Sequence, residues 1–317
     1  MKGSYQIRIE SKFLTYSFTV RRNITIIRGD SATGKTTLIA MLQAHQEDAE
    51  SSGITVRCDR QCVVLTSARW EDNLASIHDS IVFIDEGGRF MRSEEFAAAV
   101  ARSSNYYVLI TREGLDNLPY SVDEIYGVRL SQQYAGLKKT YNELYHIYHP
   151  HRVDRREDEV IVEDSNSGYQ FFRQVFQDLP CKSAGGKSNI AAIVKAASEN
   201  KTVLIIADGA AFGCEMEHMD RLINSGADII LYLPESFEWL ILHSGLLHDQ
   251  NVRDILENPS EYIDSGEYVS WERFFAHILA AKTQGTWLAY SKSRLNTNYL
   301  DEKVRNQICR ELPDVIR

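Results

Sequence analysis

Long apolar runs are missing from this 317-residue chain. Runs such as "VLIIA" and "IILYL" fall far short of the roughly 18 residues that a membrane-crossing helix needs, and no charged-then-apolar leader opens the sequence. The expectation is an unanchored, cytoplasmic protein. Cysteine is sparse and scattered: of Cys58, Cys62, Cys181, Cys214 and Cys309, only the first two lie close together, and no second pair completes a zinc site. Reduced, mostly buried thiols follow. A surplus of positive charge is also missing, since residues 1–158 hold 20 Lys and Arg against 21 Asp and Glu, and residues 159–317 hold 15 against 23. A groove that tracks a nucleic-acid backbone normally shows the opposite balance, so charge gives nucleic acid no support as a partner. No repeat of solenoid length is visible.

What is present is a globular composition, 44% hydrophobic and 25% charged, in a chain long enough for two domains of roughly 150 residues. The segment "HPHRVDRREDE", residues 149–159, has a proline, dense mixed charge and almost no apolar periodicity. We place the junction near residue 155, giving domains 1–154 and 155–317. His146, His149 and His151 read as linker rather than metal ligands, because no carboxylate or cysteine stands at ligand spacing. Before the junction, strand-like runs recur ("FTV", "ITIIR", "ITVRC", "VVLTS", "SIVFIDE", "YYVLITR", "EIYGVRL"), with helical patterns in "KTTLIAMLQAH" and "SEEFAAAVARS". After it, "EVIVE", "TVLIIAD" and "ADIILYLP" alternate with helical segments, and the chain ends mainly helical. Alternation of this kind implies an α/β fold built on parallel sheets.

"GDSATGKTT", residues 29–37, fits the pattern G-x-x-x-x-G-K-[ST] and joins an apolar strand to an apolar-faced helix. At such a junction the backbone N–H groups and the helix dipole face an anion. Gly29, Asp30, Ser31, Ala32, Thr33, Gly34, Lys35, Thr36 and Thr37 are therefore the candidate phosphate cradle, with Lys35 reaching the outer phosphates and Thr36 ligating Mg²⁺. In "SIVFIDEGGRF" a buried strand delivers Asp85 and Glu86 to its C-terminal edge, where ligands collect in open α/β sheets. Asp85 would hold the magnesium through water, and Glu86 would orient or deprotonate the attacking water.

Together these segments resemble the Walker A and Walker B motifs of additional-strand P-loop ATPases, over about residues 20–135. The resemblance implies ATP and Mg²⁺ as ligands and hydrolysis as the reaction. It makes "YYVLITRE" the next strand, with Thr111 and Arg112 as a sensor-like pair. Arg89 reads as surface charge before it reads as an arginine finger. No LSGGQ-like stretch is present, which separates the chain from ordinary ABC or SMC heads.

In the second half, "VIVEDSNSGYQFF" and "TVLIIADGAAFG" each end a buried strand on an acid, Glu163 and Asp208. Carboxylates on neighbouring strand ends either hold Mg²⁺ or cap helices. The stretch 158–245 resembles a TOPRIM domain like that of OLD-family nucleases, which implies a metal at Glu163 and Asp208. It departs from the family pattern at Ser167 and Ala210, where further acids are expected, and two-metal cleavage needs several carboxylates. Glu215, Glu217 and Asp220 read as helix surface, and the C-terminal aromatics as core and interface.

The expected architecture is a P-loop NTPase parallel sheet followed by a TOPRIM-like α/β domain with a helical C-terminal extension. The expected function is ATP binding and hydrolysis controlling a catalytically weak second domain, in a homo-oligomer or with a protein partner; by analogy with similar fusions it points to anti-phage defence. A nucleotide-gated scaffold and a metal-dependent nuclease are the alternatives. "CKSAGGKSN", residues 181–189, echoes the phosphate loop only from Gly186 to Ser188 and reads as a turn into a helix, with Lys187 facing the acidic pocket.

Overall fold

The computed structural model describes residues 1–29, 34–66, 68–131, 139–148, 156–196 and 201–313. The strands described in the first part of the chain are β1 (Tyr5–Glu10), β2 (Leu14–Val20), β3 (Ile24–Ile27), β4 (Thr55–Arg57), β5 (Cys62–Val64), β6 (Ile81–Ile84), β7 (Tyr106–Ile110), β8 (Ile125–Leu130) and β9 (Thr140–His146). The helices among them are α1 (Lys35–Glu47), α2 (Trp70–Ala75) and α3 (Glu94–Ala101). Among the described residues these strands make one sheet in the order β4-β1-β2-β9-β8-β3-β7-β6-β5. Every residue of β3, β6 and β7 is buried, as expected of parallel strands covered on both faces. Accordingly β8, β3, β7, β6 and β5 run parallel.

The sheet as a whole is mixed, which corrects the wholly parallel expectation. β1 and β2 are joined by residues 11–13 alone, a connection too short for a parallel crossover, and they pair antiparallel. β1–β4 and β8–β9 are antiparallel as well, while β2 and β9 are parallel. β1 and β9 are absent from the strands expected from sequence; His146, expected in a linker, ends β9 with its ring 4.6 Å from that of Tyr126. Helix α1 buries Leu38, Ile39, Met41 and Leu42 among Ile7, Ile9, Phe18, Phe83 and Val108. It meets β1 and β4 near one sheet edge and β5 at the other. Only residues 58–61 separate β4 from β5, so the sheet curls around α1.

The later part of the chain adds β10 (Glu159–Val162), β11 (Cys181–Ser183), β12 (Val203–Ile206) and β13 (Ile229–Tyr232). With them come α4 (Ser167–Val175), α5 (Lys187–Ala196), α6 (Met216–Asn224), α7 (Phe237–His243), α8 (Gln250–Glu257), α9 (Trp271–Thr283) and α10 (Glu302–Cys309). The strands form a parallel sheet in the order β11-β10-β12-β13. Its central strands β10 and β12 are fully buried, and Phe171, Phe172 and Phe237 pack ring to ring beside them. β11 feeds the "GGK" turn although Pro180 directly precedes it. Proline lacks only the N–H; its carbonyl accepts from Val160 N at 2.9 Å, and an edge strand tolerates the missing donor.

Two compact units result: Met1–Tyr148 with Asn258–Ser270, and His149–Glu257 with Trp271–Arg317. The junction expected near residue 155 lies outside the described residues. A single junction also omits residues 258–270, which return to the first unit through Gly3 N to Ser260 O at 2.8 Å, Ser265 N to Met1 O at 3.0 Å and Asn23 Nδ2 to Tyr268 O at 2.9 Å. No helix among the described residues is long and apolar enough to cross a membrane.

One buried charge ties the first unit together. Glu124 is fully buried and pairs with Arg21 at 3.0 Å and with the buried Arg22 at 3.3 Å. Removing one partner of such a pair leaves the others' charge unsolvated. Glu124→Ala should therefore cost about 3–5 kcal/mol in chemical denaturation, with the loss concentrated in the unit that contains β3 and β8.

Candidate functional site

In the first unit the register of the parallel strands decides which residues meet. Ile27 of β3 is level with Ile110 of β7, and Ile84 of β6 with Leu109. Strand spacing near 4.8 Å then lines up three C-terminal ends: Arg28-Gly29, Thr111-Arg112 and Asp85-Glu86. β7 stands between the other two, hydrogen-bonded to both.

Helix α1 starts directly after Gly34, whose φ of +94° lies in the left-handed region. A Cβ there would stand 2.8 Å from the Tyr16 hydroxyl, so glycine is required twice over. Tyr16 donates to the Gly34 carbonyl at 2.7 Å and also shares hydrogen bonds with Asn142 and Thr37. Lys35 is buried, and its Nζ donates back to the Gly29 carbonyl at 2.5 Å, closing the ends of the loop. Thr36 and Thr37 are exposed on the first helical turn. Asp30, Ser31, Ala32 and Thr33 lie outside the described residues.

Asp85 accepts a hydrogen bond from the backbone N of Glu86 at 2.8 Å. Glu86 in turn is held by both prongs of Arg112, with Nε to Oε2 at 2.8 Å and Nη2 to Oε1 at 2.9 Å. That fork lowers the Glu86 pKa first of all, and the charge of Lys35 adds to the lowering. Thus the structure brings Lys35, Glu86 and Arg112 together. Thr111 does not join them: it is buried, and its hydroxyl donates to the Glu113 carbonyl at 2.8 Å. Arg89 is exposed. Tyr16 and Asn142 escaped the sequence reading, because nothing local marks a strand tyrosine as a partner for a loop 18 residues on.

In the second unit Glu163 follows β10 and Asp208 follows β12, and the two are linked: Asp208 N donates to Glu163 Oε2 at 3.0 Å. Asp208 Oδ1 accepts from Phe237 N at 3.1 Å, at the start of α7. Asp164 accepts from Asn166 N and Gly168 N, both at 2.8 Å, at the start of α4. Helix capping, one of the two sequence readings for Glu163 and Asp208, thus holds for Asp208 at α7, whereas at α4 the neighbouring Asp164 takes that part and Glu163 does not. Glu238 of α7 and Glu272 of α9 add their charges to the pocket, and Lys292 enters it with Nζ 2.5 Å from Glu272 and 3.9 Å from Glu238. Ser167, at a position where an acid was expected, hydrogen-bonds the Tyr290 hydroxyl at 2.7 Å, and that hydroxyl lies 2.6 Å from Glu238 Oε1. Lys187 donates to the Ala211 carbonyl at 2.7 Å while its charge acts on Glu163, so it does face this pocket. Glu215 is buried against His218 at 3.1 Å and takes no part. Glu272 and Lys292 escaped the sequence reading; the first is one polar residue of an amphipathic helix, the second follows no pattern.

Among the described residues no three His, Cys, Asp or Glu side chains are grouped to hold a metal ion. Compared with known proteins, the chain matches no family model and no curated sequence.

Burial raises the Glu163 pKa to about 6 from an ordinary 4.5, and raises that of Asp208 as well. A carboxyl whose folded pKa exceeds its unfolded one contributes stability fully below the unfolded value and loses it as pH rises through the folded value. Wild type should therefore lose about 2 kcal/mol relative to Glu163→Gln between pH 4.5 and 7.5, read from urea unfolding at the two pH values. An unchanged difference would place Glu163 in a solvent-like environment.

Proposed function

We propose that the first unit binds and hydrolyses ATP in the manner of an additional-strand P-loop ATPase, and that its nucleotide state controls a TOPRIM-like second unit. One observation supports this most: β7 lies between β3 and β6, so the loop strand and the acidic strand are separated by a single strand that contributes Arg112. An inserted strand in that place is what the additional-strand reading requires.

The roles follow from the geometry. Gly29 and Gly34 let the backbone turn at the strand-to-helix junction, and the α1 N-terminus presents N–H groups and a positive dipole end to phosphate. Lys35, now on the Gly29 carbonyl, is poised to exchange that acceptor for phosphate oxygens. Thr36 and Asp85 are the residues that would hold Mg²⁺, whose chemistry is to offset negative charge on the phosphates. Glu86 is ionised at neutral pH and positions the attacking water once Arg112 turns from it to the phosphate. That exchange is inexpensive, because the pair is solvent-exposed, 34% for Glu86 and 59% for Arg112, and such pairs are worth about 0–1 kcal/mol.

Turnover and binding measured together test the reading. Lys35→Ala should abolish nucleotide binding. Glu86→Gln should keep binding and slow turnover by about 10²–10⁴. ATP turnover unaffected by either substitution would end the proposal. In the same assays Tyr16→Phe should weaken nucleotide binding by up to about tenfold, the value of one hydrogen bond to the loop, with little change in turnover at saturation.

The nucleotide-gated scaffold is a second reading. The observation favouring it is the lysine in the acidic pocket of the second unit, since a pocket so filled is poorly suited to metal-dependent cleavage. Slow turnover combined with an ATP-dependent change of size in light scattering distinguishes it from an enzyme in which hydrolysis itself does the work.

A further inference from the structure

A TOPRIM-like fold implies a divalent metal at Glu163 and Asp208, and with the Lys292 ammonium in the pocket the side chains do not fit one. Hard cations take several oxygen ligands at about 2.0–2.6 Å. Here Glu163 Oε2 accepts from Asp208 N, and Asp208 Oδ1 accepts from Phe237 N. Glu238 Oε1 is taken by Tyr290, and Glu272 Oε1 by Lys292. The charge balance still calls for a cation, because Glu163 after β10, Glu238 on α7 and Glu272 on α9 all act on the buried Asp208 after β12, although the four are not grouped as metal ligands. Glu238 Oε2 is buried with no hydrogen-bond partner.

We propose that the Lys292 ammonium is the resident cation of this pocket, seated where a divalent metal would otherwise be drawn, so that the second unit works without metal. The backbone holds it there. The Lys292 carbonyl accepts from Ser167 N at 3.1 Å, at the start of α4. Two residues earlier, the Tyr290 hydroxyl bridges Ser167 and Glu238. A tethered ammonium faces the carboxylates at a high effective concentration, which a free ion must overcome. Burial by itself lowers the Lys292 pKa, but the charges of Glu238, Glu272 and Asp208 outweigh it and keep the group charged. Lys187, bound to the Ala211 carbonyl, supplies a second positive charge beside Glu163.

The test is Mn²⁺ binding to the full chain without nucleotide, followed by electron paramagnetic resonance. In wild type, Glu163→Gln should leave the binding isotherm unchanged, because no ion is held there. Lys292→Gln removes the ammonium but keeps a polar side chain, and should add one Mn²⁺ site about a hundredfold tighter than any unit-two binding in wild type, the order expected for removing a unit charge a few Å away. Adding Glu163→Gln to that variant should abolish the new site, and Lys292→Arg should behave as wild type. A wild-type Mn²⁺ site lost on Glu163→Gln overturns the proposal, as does a folded Lys292→Gln protein that gains no site. If Lys292→Gln does not fold, the wild-type comparison decides alone.

Discussion

β3 is buried along its whole length and hydrogen-bonded by parallel partners on both sides, and the rest of the first unit depends on that confinement. A strand in this position cannot slip by one residue without turning apolar side chains out of register with both neighbours. Its end therefore marks a fixed level at which β6 and β7 also stop. The loop to α1, the acidic pair after β6 and the arginine after β7 share that level. Curling the sheet around α1 adds a second anchor, since Tyr16 on β2 reaches the Gly34 carbonyl from the antiparallel flank. The flanking strands thus help position a loop to which they contribute no sequence.

The second unit repeats the geometry with a different electrostatic solution. β10 and β12 pair in parallel with Val162 level with Ile206, which brings Glu163 beside the chain leading to Asp208. Two carboxylates so close, with Glu238 and Glu272 added, repel one another, and the pocket needs either protons or cations. It uses both: raised carboxyl pKa values favour protons, and Lys292 with Lys187 supplies positive charge. Both keep the strand-end acids in place.

How much of this was legible in the sequence depended on whether the signal was local. The fully buried strands β3, β6, β7, β10 and β12 stand out as short apolar runs, and "GDSATGKTT" and "IDE" mark their own strand ends. β1 and β9 were harder, because strands on the flank alternate or mix exposed polar residues, and β9 holds the polar residues Asn142, Glu143 and His146. Glu272 and Lys292 were hidden for another reason: they reach the Glu163 pocket from more than a hundred residues away. The return of residues 258–270 to the first unit was equally silent, since it rests on backbone hydrogen bonds that any sequence can make and on single polar side chains such as Asn23 that follow no pattern.

The two units differ most in how firmly each carboxylate is bound to its cation. Arg112 and Glu86 meet at the surface, where water screens the pair and either partner is released at little cost. A group meant to trade partners during a reaction should be built this way, with strong geometry and weak net energy. Glu238 is 2% exposed, and taking Lys292 away would strand its charge out of reach of water, a far larger penalty. A group so placed is built to stay. The same chemistry, an acid facing a basic side chain, therefore gives an exchangeable contact in one unit and a lasting one in the other, and burial of the acid is what separates them.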